Sequence, residues 1–185
     1  SIVLSFIMMK ERNLKKFIIT QIMVLIIIII ALVLAGKIYD VSWDGMWYHQ
    51  NAIVELNNGW NPIYEKLTGE GALWNNYYGK YSEIVQACIL STFKNIEMGK
   101  MINILFMIIA TMYSLFILLS HFNINYRRSL VYSIIIGFNP VSIYQLFSFY
   151  HDGILASILI ICGCMVLDLN KEDSNLKYIY LFMIG

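Results

Sequence analysis

Residues 40–50 read DVSWDGMWYHQ and place two acids, two Trp, a Tyr and a His in eleven positions. Such groups can do chemistry. Asp40 and Asp44 stand four apart and would share one side of a helical turn. A carboxylate in a partly desolvated place can serve as a general base near neutral pH, or hold a divalent ion. His49 adds a proton carrier or nitrogen ligand, and Trp43 and Tyr48 offer flat faces to a carbohydrate ligand. A plainer reading stands beside this one: Asp40 caps the loop and Asp44 makes an Asx turn before Gly45. A second group of the same kind, Tyr150-His151-Asp152-Gly153, lies far along the chain. Asp152 there is either the N-cap of the helix that follows or a site acid beside a helix N-terminus suited to phosphate.

Long apolar stretches position these groups. Hydrophobic residues make up 59% of the 185 residues and charged residues only 14%, well below the quarter or so usual in soluble domains. Lipid is the expected solvent. The net charge of +1 argues against a nucleic-acid partner, which calls for a concentrated basic face. Cys162 and Cys164 lie inside an apolar run at a spacing that faces them apart on a helix, so they read as inert filling. The expected membrane spans are 17–36, 102–120, 129–149, 153–168 and, incomplete, 178–185, each judged against the roughly 20 residues a crossing needs. Asn139, Pro140 and Gln145 interrupt the third, as a kink with helix-to-helix hydrogen bonds or as functional polar groups. The first span exceeds a signal-peptide core and reads as an uncleaved anchor.

Lys10, Arg12, Lys15 and Lys16 precede the first span, and Arg127 and Arg128 separate the second from the third. By the positive-inside tendency both places are cytoplasmic. The loop 37–100 and the turn at Tyr150–Gly153 then fall together on the outer face, so both groups of chemical residues share one side. The outer loop is rich in Trp and Tyr, which disordered segments lack; its rings read as an interfacial belt, as sugar-stacking faces, or as both. Two short helices are expected in it, Trp47–Asn57 and Ser82–Phe93, the second opening on a Ser cap, with a turn at Trp60-Asn61-Pro62 between them. The whole reads as the N-terminal part of one all-α polytopic transmembrane domain, with a natural start expected at Met8 or Met9.

The stretches DVSWDGMWYHQNAIVELNNGWNPIYE, YYGKYSEIVQA and GFNPVSIYQLFSFYHDGILASIL resemble the C-type (GT-C) membrane glycosyltransferases, especially the protein mannosyltransferase and aminoarabinose transferase groups. The resemblance implies a many-helix membrane fold and transfer of a sugar from a polyprenyl-phosphate donor. It implies Asp44, then Asp40, as the acid that activates the acceptor. It further implies substrate-facing roles for Trp43, Tyr48, His49, Lys80, Glu83, His151 and Asp152, with Lys80 and Glu83 towards lipid phosphate and acceptor. A divalent cation such as Mg or Mn, held by Asp44 and Asp152, would fit this pattern, and the partners would be the lipid-linked donor and membrane lipids. Two other classes account for the same features: a transporter or lipid-linked oligosaccharide flippase, whose acids would lie near the midplane, and a non-catalytic membrane subunit.

Overall fold

The computed structural model describes residues 14–169. The expected incomplete span at 178–185, the expected start at Met8 or Met9, and Lys10 and Arg12 lie outside those residues. Among the described residues the chain is all helical. Helix α1 (Leu14–Lys37) runs through the five consecutive Ile. A π-helical widening at Gly45–His49 leads into α2 (Gln50–Asn57), followed by α3 (Ala72–Tyr77) and α4 (Tyr81–Phe93). A 3-10 turn, Ile96–Lys100, opens α5 (Met101–Ser120). Then come α6 (Tyr126–Gly137), α7 (Pro140–Tyr144) and α8 (Asp152–Leu169).

Two of these stretches are long and apolar enough to cross a membrane, Leu14–Lys37 with mean hydropathy 3.2 and Ile96–Ser120 with 2.4. Both lie where the hydropathy places them. The segment 129–149 is different: it is not one helix. The α6 helix ends at Gly137, Asn139 caps α7 by accepting the Ser142 amide, and residues after Tyr144 turn irregularly towards Asp152. Pro140 explains the break, because proline lacks the amide a continuing helix needs and disfavours helical geometry before it.

Small residues let the helices approach. Ala31 and Ala35 of α1 are buried against Ile104 of α5. A Cβ added at Gly137 would fall 1.9 Å from Thr111 Oγ1, so α6 and α5 touch backbone to side chain there. Ile53, Ala87 and Phe149 form a separate core beneath the loop helices, and Ile89, Ile102 and Ile154 join α4 to the tops of α5 and α8. This second layer fixes the chemistry-bearing loops against one end of the long helices.

Candidate functional site

The site begins with the widening of the first loop helix. Single π turns inside α-helices recur at functional sites because the extra residue re-aims the side chains beyond it. Here the turn delivers Tyr48 and His49 inward, both buried. Gly45 is required in it: an added Cβ would stand 2.1 Å from Asp40 Oδ2 and 2.3 Å from Ser42 Oγ.

Helix α4 supplies the opposing wall. Spacing of three and four residues puts Ser82, Glu83 and Gln86 on its inner face, and all three are buried. His49 Nδ1 lies 3.1 Å from Glu83 Oε1. His151 Nε2 lies 3.5 Å from the same oxygen and 2.6 Å from Ser82 Oγ, which donates to Glu83 Oε2 at 3.1 Å. Lys80 Nζ stands 3.9 Å from Glu83 Oε1 and, though buried, has no hydrogen-bond partner. Burial drives the Glu83 carboxyl up, but the His49 hydrogen bond and the charges of His151 and Lys80 outweigh it and hold it below its ordinary range. Burial brings His151 down to about 4, against the pull of Glu83 and with help from His49 and Lys80. Lys80 is lowered by burial, with Glu83 opposing.

Rings wall the cluster. The His49 and His151 centroids are 4.2 Å apart, Tyr81 lies 5.3 Å from His151, and Tyr48 stacks on Trp74 at 5.9 Å. The Tyr48 hydroxyl is pushed up to about 12, first by burial and then by the charge of Asp44, so it stays protonated as a donor. Trp43 is exposed and tilts towards Trp47 at 6.4 Å.

The structure therefore brings together His49, Tyr48, Lys80, Glu83 and His151 of the expected residues, and gives the two acids of the opening motif different surroundings. Asp40 is buried and fully engaged. Its Oδ1 accepts from the Ser42 amide at 2.8 Å, an Asx-type turn at Asp40 where the sequence suggested one at Asp44, and its Oδ2 accepts from the Phe149 amide at 2.7 Å. Asp44 is half-buried, and its side chain makes no capping hydrogen bond. Asp152 is exposed and accepts from Gln145 Nε2 at 2.9 Å, while Gln145 Oε1 takes the Gly153 amide at 2.7 Å. The α4 N-cap is Lys80, without a side-chain cap bond; Ser82, the expected cap, instead faces His151.

Several residues escaped the sequence reading. Lys100 is fully buried, donates to Glu97 Oε2 and the Ile38 carbonyl, and lies 5.5 Å from the Phe149 ring centroid. Glu97 Oε2 also accepts from the Asp40 amide at 3.2 Å. Their only advance signal was an acid and a base three apart at the head of an apolar run. Asn75 and Gln86 bury amides with no partner, a costly arrangement unless a ligand or water serves them.

Two cavities reach the cluster. One of about 320 Å³ runs between α4, α5 and α8, lined by Val85, Ile102, Leu105, Phe106 and Ile158 and ending on Tyr81 and Ser82. The other, about 640 Å³ and more open, is lined by Trp60, Asn61, Pro62 and Lys80. Among the described residues the metal-ligating groups that converge are His49, Glu83 and His151; neither Asp44 nor Asp152 belongs to the group. No family model, curated protein or solved structure matches this chain.

Proposed function

We propose that this protein is a membrane glycosyltransferase that moves a sugar from a polyprenyl-phosphate donor to an acceptor hydroxyl at the outer face of a membrane. One observation carries the reading: an apolar groove between α4, α5 and α8 ends on Tyr81 and Ser82, beside a buried cluster of His49, Glu83, His151 and Lys80. A lipid-linked sugar has the same two-part form, a hydrocarbon chain and an anionic, hydroxyl-rich head. The groove suits the chain, the ammonium of Lys80 suits the phosphate, and the cavity with Trp60 and Asn61 suits a sugar or acceptor. The exposed Ile, Leu and Val of α1 fit a lipid surround, since that much apolar surface is costly in water.

In this reaction the acceptor oxygen attacks the anomeric carbon. The bond from that carbon to the phosphate oxygen breaks, and its electron pair leaves with the polyprenyl phosphate. The acceptor proton passes to a carboxylate. Asp44 is the acid of choice: Asp40 already accepts two backbone amides, whereas Asp44 has no cap bond and its field reaches Tyr48. Glu83 is held ionised by its hydrogen bond to His49, with the Lys80 ammonium 3.9 Å away, and serves to position His49 and Ser82.

The test is transfer from a labelled polyprenyl-phosphate sugar by the intact protein in liposomes. Asp44→Asn keeps the shape and removes the basic lone pair, so turnover should fall at least a hundredfold with donor binding unchanged, within the range general-base catalysis supplies. Equal turnover in parent and variant would remove Asp44 from the role. Donor moved across the bilayer without any bond cleavage would mark a flippase.

A further inference from the structure

We propose that His49, Glu83 and His151 form a site for one divalent transition-metal ion of the zinc type, a site the paired acids Asp44 and Asp152 do not provide. The three ligand atoms, His49 Nδ1, His151 Nε2 and a Glu83 oxygen, lie within 4.8 Å of one another. Two of the three edges are 3.1 and 3.5 Å. Tetrahedral zinc holds nitrogen and oxygen ligands at about 2.0–2.1 Å, which sets the ligands about 3.3 Å apart. The third pair, His49 Nδ1 and His151 Nε2, lies within 4.8 Å, and His151 is the member of the set that is partly open. Each ligand comes from a different element: the π-helical widening, α4 and the turn before α8.

The donor set selects the metal. Two imidazoles and one carboxylate suit zinc, cobalt or iron, whereas magnesium demands near-octahedral oxygen ligands and retains its waters. Three protein ligands leave a fourth position, the pattern of zinc sites that bind an exchangeable ligand. Ser82 Oγ, bonded to both His151 and Glu83, stands beside it. Among the described residues, Lys80 is the cation that faces Glu83. Its ammonium has no hydrogen-bond acceptor and a flexible four-carbon stem, and it also lines the open cavity with Trp60 and Asn61, so it can yield Glu83 to an ion.

The measurement is metal uptake by the whole protein in detergent, stripped with chelator and titrated with Zn²⁺ by calorimetry and with Co²⁺ by visible absorption. One equivalent of zinc should bind, excess Mg²⁺ should not displace it, and cobalt should give the intense bands of a four-coordinate site. Glu83→Gln and His151→Ala should each weaken uptake at least tenfold; His121→Ala, at the far end of α5, should not. Helix content by circular dichroism and monodisperse elution certify each variant, and His151→Gln replaces His151→Ala if that protein does not fold. Folded parent protein that takes up no zinc, or His151 variants that bind it as tightly as the parent, would overturn the site, as would displacement by Mg²⁺. Uptake without sugar transfer leaves the metal site standing and removes the glycosyltransferase reading; transfer without uptake does the reverse.

Discussion

Glu83 is fully buried, yet it is the most connected carboxylate at the site: two His, a Ser and a Lys face it. Nothing in its spacing announced this, because its two His partners arrive from 34 and more residues away. What the spacing of Asp40 and Asp44 did suggest was a pair, and the fold breaks that pair by using Asp40 to tie the first loop to Phe149. The small residue at 45 makes the tie possible. Gly45→Ala would drive a methyl into Asp40 Oδ2 and should destabilise the protein by about 1–3 kcal/mol, as overpacking does. In denaturant titrations the loss should shrink in an Asp40→Ala background, where the oxygen it strikes is gone; an undiminished loss would place the strain elsewhere. His151 gives a pH signature in the metal-free protein. Its folded value is depressed from 6.5 to about 4, so between those values the unfolded chain binds more protons and stability falls as pH falls. Glu83, also depressed, adds its loss only lower, as pH drops below the ordinary carboxylate range. Melting temperatures between pH 7 and pH 5 should therefore decline in the parent and decline less in His151→Gln, with His49, Lys80, Asp152 and Tyr81 unchanged around it.

At the scale of elements, composition and period made α1 and α5 legible, because their length and apolarity are decided locally. The loop helices were nearly as clear: the widened helix ends at Asn57 and α4 at Phe93, the ends expected for them. Two features were not legible. A π turn leaves no periodic trace over five residues, and the break at Asn139-Pro140 was visible only as a kink, since apolarity runs on across it. The turn Ile96–Lys100 hides the other surprise, a buried ion pair between Glu97 and Lys100 that anchors α5 to the end of α1. Lys100→Met leaves Glu97 buried and uncompensated, which should cost about 3–5 kcal/mol. Adding Glu97→Gln should recover part of it, so the double variant should unfold later in detergent titration than Lys100→Met alone. A double variant that is as unstable as the sum of both singles would mean that the two charges do not act as a pair.

Across the whole molecule, polar groups gather at the two ends of α5. Its first turn lies under the His49–Glu83–His151 cluster; its last residue precedes His121, whose Nε2 lies 2.8 Å from Asp168 Oδ1 at the end of α8, with the Tyr113 hydroxyl donating to Oδ2 at 3.3 Å. Twenty residues of helix separate the ends by about 30 Å, the thickness of a hydrocarbon core. Arg127 and Arg128 follow His121, so the end with the cluster should face outward. Single-cysteine labelling decides it, provided that the reporters sit in water. Tyr64 is 84% exposed near the cluster and Tyr126 is 61% exposed at the other end, and the native Cys88, Cys162 and Cys164 are first replaced by Ser. With an impermeant thiol reagent on intact cells, Tyr64→Cys should label and Tyr126→Cys should label only after permeabilisation. The reverse pattern would put the cluster inside, where a donor at the outer leaflet cannot reach it. Labelling of both in intact cells would mean that α5 does not cross the membrane.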